Sequence, residues 1–265
     1  MRFEERAVCP ALRPLVSKLW SFEGDFAFGL ERVLPSGYAD LLINLDEDET
    51  RTYADPSAPA ERHAGSVLGG PRSRPLIIDT HEQRRVLGVV FQPGGARAFF
   101  DTPLCAVLDA YVDLDTLWGR SGLRDRLLGC DATEQLALVE SALLENLRED
   151  RAPEVGVVAA ARALDAGARV SDVLERVGMG RKRFGRCFKE AVGMTPKQFA
   201  GIRRFRRVIG RANAEGLEAV DWADVAAHCG YFDQPHLIAD FRRYAGLTPS
   251  RYVPRSGDAQ AHVRL

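Results

Sequence analysis

The stretch DVLERVGMGRKRFGRCFKEAVGMTPKQF, Asp172–Phe199, recurs as DVAAHCGYFDQPHLIADFRRYAGLTPSRY, Asp224–Tyr252. Gly178 matches Gly230 and Gly193 matches Gly246. With one residue inserted in the second turn, Phe184 falls on Leu237, Phe188 on Phe241, Thr195-Pro196 on Thr248-Pro249 and Phe199 on Tyr252. Two copies are too few for a solenoid. Each copy reads as a short helix, a glycine turn and a longer helix. In the first, Ser171 caps a helix ending near Gly178, and Gly180 opens a second that ends at Gly193. In the second, Asp221 and Asp233 are the caps and Gly230 makes the turn. Phe184 and Phe188, like Leu237 and Phe241, stand at i, i+4 and give each longer helix an inner face. The outer face of the first carries Arg181, Lys182, Arg183, Arg186 and Lys189. A helix pinned on one side and basic on the other has the form of a major-groove reader in a helix-turn-helix.

Between the copies, Phe199, Ile202, Phe205 or Arg206, and Ile209 recur at helical spacing from Thr195 to about Ala214. A helix of about 18 residues is about 27 Å long. With its end turns it holds two readers about 34 Å apart, one turn of DNA. Lys on a helix surface is usually only solvating, but Lys182 and Arg186 at the start of a duplicated second helix, followed by Arg203, Arg204, Arg206, Arg207 and Arg211, point to DNA. Lys182 and Arg186 are the base-edge candidates. Arg181, Arg183, Lys197 and Arg204 are placed for phosphates.

These motifs, the G-M-T-P and G-L-T-P endings and the Y-F-D-Q-P-H start of the last helix resemble the DNA-binding domain of AraC/XylS transcriptional regulators, over about Pro153 to Pro254. The resemblance implies an all-α domain of about seven helices on promoter DNA, with RNA polymerase as a partner and activation as the family tendency. It places Lys182, Gly185 and Arg186 of the first reader, and Gln234, Pro235, His236 and Ala239 of the second, toward bases. Gly185 has no side chain to offer and Ala239 sits where many members carry a polar residue. The second helix is therefore expected to read few bases and to hold register or contact polymerase.

The formal charge of −1 hides an asymmetry: residues 1–152 carry 17 Lys+Arg against 25 Asp+Glu, a net of −8, and residues 153–255 carry 18 against 11, a net of +7. One domain faces a polyanion and the other avoids it. Five widely spaced cysteines with no C-x-x-C read as buried thiols in a reducing cytoplasm rather than a zinc or disulfide framework. The charged start MRFEERAVCP is no signal peptide, and no apolar run reaches about 18 residues, so a soluble, cytoplasmic protein without a membrane span is expected.

The fold class expected is α+β: a mostly antiparallel β domain, barrel- or sandwich-like, over residues 1–120; a helical connector over 121–152; the double helix-turn-helix over 153–255; and a tail, 256–265. Short apolar or alternating runs at Leu15–Phe22, Phe28–Leu34, Asp40–Leu45, Ser66–Gly69, Leu76–Asp79 and Val86–Phe91 predict strands. Asp46–Arg62, acidic and proline-bearing, predicts a hairpin tip or loop. VLPSGYADLLINL, GPRSRP and FQPGGARAFF resemble a poorly characterised sensor-type domain found ahead of AraC-like domains. Small barrels bind ligands at their mouths, so Trp20, Tyr38, Asp40, Arg97 and Phe99 are pocket candidates for a small-molecule effector, with Arg97 at a helix start suited to an anion. An aromatic or paired charge in such a domain is more often core or turn scaffolding.

Leu136, Val139, Leu143 and Leu147 form one stripe of a helix over Ala132–Leu147, a face that packs on the β domain or pairs with its copy in a homodimer; the homodimer is preferred, because pairing raises occupancy of a paired operator. No H-E-x-x-H, G-x-S-x-G or P-loop occurs, so no catalytic residue, metal ligand or cofactor is assigned. Two alternatives stand beside the regulator: a cupin-like or epimerase-like enzyme in residues 1–118, and an adaptor with a degenerate helix-turn-helix.

Overall fold

The computed structural model of the chain describes residues 2–217, 219–256 and 261–265. Its strands are β1 (Arg2–Arg6), β2 (Val16–Glu23), β3 (Leu30–Val33), β4 (Asp40–Asn44), β5 (Glu49–Tyr53), β6 (Glu61–Ala64), β7 (Ser66–Gly69), β8 (Leu76–Asp79), β9 (Arg85–Phe91), β10 (Tyr111–Asp113) and β11 (His262–Arg264). They make two antiparallel sheets, ordered β1-β2-β9-β4-β7-β10 and β11-β3-β8-β5-β6. The arrangement is a sandwich and not a closed barrel.

Alternation along the strands divides the larger sheet into two unlike faces. Leu19, Leu41, Ile43, Leu87, Val89 and Phe91 point to one side, into a dry core completed by α1 (Leu114–Trp118), α2 (Leu123–Leu128) and α3 (Ala132–Glu145). Lys18, Trp20, Phe22, Asp40, Leu42, Val86 and Val90 point to the other side, where the second sheet stands off across a cavity. Trp20 lies flat across β9 because Gly88 has no side chain there; a Cβ on Gly88 would come within 2.1 Å of the indole.

Three expectations change. The Asp46–Arg62 segment holds β5 and the start of β6. Its strand signal was polar: Thr50 and Thr52 are buried, and the Asn44 amide donates to the Glu49 and Glu82 carbonyls at 2.8 Å each. The leucine stripe does not face a second copy. Leu136, Val139 and Leu143 are buried in the core behind the larger sheet, and Leu147 packs on it. The tail assigned to 256–265 is also more than a tail. Residues 257–260 lie outside the described residues, but His262–Arg264 pairs antiparallel with β3.

The C-terminal half is helical: α4 (Val155–Asp165), α5 (Val170–Val177), α6 (Arg181–Val192), α7 (Pro196–Glu215), α8 (Trp222–His228) and α9 (Gln234–Ala245). Thr195 and Gln198 form a reciprocal capping box at the start of α7, and Asp221 and Asp233 cap α8 and α9 through their carboxylates. Ser171 is not a cap: α5 begins a residue before it, after Arg169, and the Ser171 hydroxyl bonds Asp172. The matched turn glycines Gly178 and Gly230 have φ of +66° and +79°, a region that side chains resist. Leu34 of the β half joins the helical core, and Gly193 at the end of α6 sits against Pro71 and Leu104. The two halves are therefore fastened at several points.

Candidate nucleic-acid interface and the cavity behind it

Phe184 and Phe188 pin α6 to the helical core, which leaves Arg181, Lys182, Arg183, Arg186 and Lys189 exposed. Arg183 is held by Glu154 at 3.0 Å. Among the described residues, Arg181, Lys182, Arg186 and Lys189 have no carboxylate partner, so their charge is available to a polyanion.

The second reader is built differently. Gln234, Pro235, His236 and Ala239 are exposed on α9, but the His236 ring stands edge-on to Tyr231 at 5.0 Å and lies 3.3 Å from Arg204 Nη2. Arg204 itself donates to the buried Asp240 at 2.8 Å and lies 4.3 Å over the Tyr231 ring. It braces α7 against α9, so the charge the sequence reading set aside for a phosphate is engaged within the fold.

Most of the basic run on α7 is likewise engaged within the fold. Arg203 pairs with Asp165 and donates to the Ser36 carbonyl at 2.9 Å, Arg207 donates to the Asp165 carbonyl at 2.9 Å, and Arg211 meets Glu215 at 2.8 Å and Asp224 at 3.1 Å. At about 100° per residue, adjacent arginines point around the helix instead of building one basic face. Lys197 is exposed and lines a hollow of about 620 Å³ between the two motifs, together with Arg169, Arg207 and Arg243. Arg169 and Arg243 were not anticipated; they stand alone in sequence, and only the fold brings them beside Lys197.

Residues 173–255, which hold both readers and their spacing, match the family described as a helix-turn-helix domain. They are an AraC-type DNA-binding domain. The chain is accordingly a DNA-binding transcription regulator, and the enzyme alternative finds no support. Ahead of the AraC-type domain, residues 4–113 match a domain of unknown function (DUF6597). No curated protein matches the chain. Among solved structures it is similar to ToxT from Vibrio cholerae, with 8% identity, 95% of this chain and 98% of that chain covered, and a TM-score of 0.47. ToxT bound to (E)-4-(8-methylnaphthalen-1-yl)but-3-enoic acid gives 8% identity, the same coverage and a TM-score of 0.48. Wild-type ToxT with bound unsaturated fatty acid gives 9% identity, coverage of 88% and 90%, and a TM-score of 0.41. A likeness this loose assigns no ligand to this chain.

The cavity between the sheets has a volume of about 500 Å³, and Trp20, Tyr38 and Asp40 all line it. Arg97 does not: its guanidinium donates to the Phe100 carbonyl at 2.6 Å and braces its own 3₁₀ turn, Gly95–Ala98. Phe99 is in the dry core. Asp40 shows its small accessible surface to the cavity, and burial lifts its carboxyl to about 7 against the pull of the nearby Arg72. Arg72 lies 4.2 Å over the Tyr111 ring, whose phenol burial pushes up to about 12.

Two further walls come from outside the β half. α7 contributes Arg203 and Arg206, and the C-terminal segment contributes Arg255, Ala261 and His262. Glu31, 1% exposed, accepts from Arg255 at 3.0 Å and from His262; burial opposes its charge, but these partners hold its pKa below the ordinary value. Tyr38 spans the boundary: its hydroxyl donates to Asp165 at 2.5 Å and Arg203 lies 4.4 Å over its ring.

Outside the cavity, Glu47, Glu49 and Glu82 gather within 4.8 Å, and Arg51 already lies among them as their cation. Cys229 is buried, whereas Cys9, Cys105, Cys130 and Cys187 are only half-buried. Among the described residues, no helix is long and apolar enough to cross a membrane.

Proposed function

We propose that this regulator is sequence-specific and ligand-responsive, with a small molecule in the cavity setting its grip on promoter DNA. The observation that supports this is a shared wall: α7 spaces α6 from α9 and also lines the cavity through Arg203 and Arg206. An occupant of the cavity therefore touches the element on which the spacing of the readers depends. Lys182 and Arg186 contact base edges in one major groove, and Gln234 and His236 face the next. Arg181, Lys197, Arg169 and Arg243 take phosphates, which position the protein without reading sequence. RNA polymerase is the protein partner this reading adds, with activation as the family tendency and the cytoplasm as the place. Pairing of two copies would need a face other than the Leu136–Leu147 stripe.

The test is recovery of fragments from a genomic pool by the full chain at two salt concentrations. A bipartite motif with half-sites about 10 base pairs apart is expected, surviving the higher salt. Sequence-blind binding that disappears at the higher salt would overturn the reading, since phosphate contact alone behaves that way.

A further inference from the structure

The turn of the second helix-turn-helix is one residue longer than that of the first. Met179 alone separates Gly178 from Gly180, the N-cap of α6, whereas Tyr231 and Phe232 separate Gly230 from Asp233, the N-cap of α9. Met179 and Tyr231 both pack on the helical core. Phe232 is the addition, and it is 92% exposed, more than any other large apolar side chain among the described residues. A single exposed apolar residue is ordinary on a protein surface. Phe232 is not single: Pro235 and Ala239 are exposed as well, and at i, i+4 they share one outer face of α9.

A recognition helix meets base edges with its N-terminal end. In α6 that end carries Arg181, Lys182, Arg183 and Arg186; in α9 no Lys or Arg occurs before Arg242, about 12 Å along the axis from Gln234. Guanine, which is read in the major groove by Arg or Lys, therefore has no partner there. Cytosine offers an amino group that calls for a carboxylate, and both carboxylates of α9 are committed: Asp233 accepts from the His236 N–H at 2.8 Å as the helix cap, and Asp240 holds Arg204. What remains suits A·T. The thymine C5 methyl is the apolar substituent of the major-groove base edges, and Gln pairs with N6 and N7 of adenine. We propose that α9 recognises an A·T half-site through thymine methyl groups, with Phe232 as the principal contact, Pro235 and Ala239 beside it and Gln234 on adenine. This deepens the reading of α9 as a groove reader and rests on it. Contact takes apolar surface of both the methyl and the ring out of water, so it adds affinity without a charge. The two readers thereby divide the chemistry of the groove, cationic donors on guanine under α6 and apolar surface on thymine under α9.

The test uses the full chain and its recovered DNA site, with each thymine replaced in turn by uracil, which removes the C5 methyl and keeps the base-pairing edge. At fixed salt, uracil at one or two positions under α9 should weaken binding about fourfold each, the effect of losing one buried methyl. Phe232→Ser should weaken binding to the natural site by a similar factor and make it insensitive to uracil at those positions, with no change in Tm because the ring is exposed. Phe232→Leu should keep the sensitivity. No uracil effect under α9, a uracil effect that survives in Phe232→Ser, or unchanged DNA affinity in that variant would overturn the proposal while leaving two half-sites in place. A site with a single cluster of sensitive positions would instead remove the groove reading of α9, and the proposal with it.

Discussion

In α6 the inner residues Phe184 and Phe188 are 1% and 0% exposed, and in α9 their counterparts Leu237 and Phe241 are 1% and 0%, yet the outer faces of the two helices have diverged. Packing constrains what a reader turns inward, where a smaller side chain opens a void and a larger one strains the core. Nothing comparable constrains the outer face, so the two copies could part in function while keeping one fold. α6 offers Arg181, Lys182, Arg186 and Lys189 unpaired to solvent. α9 offers Gln234 and a His236 already engaged by Arg204, whose own charge is turned inward to Asp240. On the function proposed above, base reading falls chiefly to α6 and register to α9.

The largest effect sharpens what the readers share. Phe188→Ala and Phe241→Ala should each cost about 3–5 kcal/mol in urea unfolding, the ordinary range for emptying an aromatic site. A loss confined to one of them would break the equivalence of the inner faces. Arg204→Ala comes next, at about 1.5–3 kcal/mol of stability, since it strands a buried carboxylate. It should also weaken protection of the α9 half-site in a footprint. If stability is unchanged and only the salt slope falls, Arg204 is a phosphate contact after all. Arg186→Ala should relax preference at one or two base pairs by about 1–3 kcal/mol, whereas Arg181→Ala should weaken all sequences alike and lower the salt slope by about one. Equal loss of specificity in both would break the division between bases and phosphates. Last, nothing lies within 4 Å of a Cβ built on Gly185, so Gly185→Ala should add about 0.8–1 kcal/mol of helix stability. A simultaneous loss of DNA affinity would mean that the backbone at Gly185 lies against the DNA.

The double helix-turn-helix was legible because its signals are local. Glycines at matched turns, phenylalanines at i, i+4 and the Thr-Pro starts all act within a few residues of themselves. The strands Ser66–Gly69 and Leu76–Asp79 were legible for the same reason. β5 escaped because its inward residues are Thr50 and Thr52, and its backbone is held from elsewhere in the chain, at the Glu49 carbonyl by Asn44 and at the Arg51 N–H by Glu82. The leucine stripe was read correctly as an apolar face, but a helix cannot state whether its cover is a neighbouring sheet or a second chain. Of the pocket candidates, Trp20, Tyr38 and Asp40 meet in one cavity because they alternate onto one face or lie beside it, while Arg97 is drawn to a carbonyl three residues on. Arg72, Arg206 and His262 were invisible as lining residues, since they come from a loop, a helix of the other half and the chain's end. The Arg-Arg-Phe-Arg-Arg run shows the limit most plainly: composition marked it as basic, and only the fold shows how little of that charge faces outward.

The most direct measurement is a base-pair substitution scan of the recovered DNA site with the full chain, recording the change in affinity at each position at fixed salt. The account predicts two clusters of sensitive positions about 10 base pairs apart, with the larger penalties, about 1–3 kcal/mol each, under α6 and smaller ones under α9. A single cluster, or two clusters with the steeper one under α9, would contradict it.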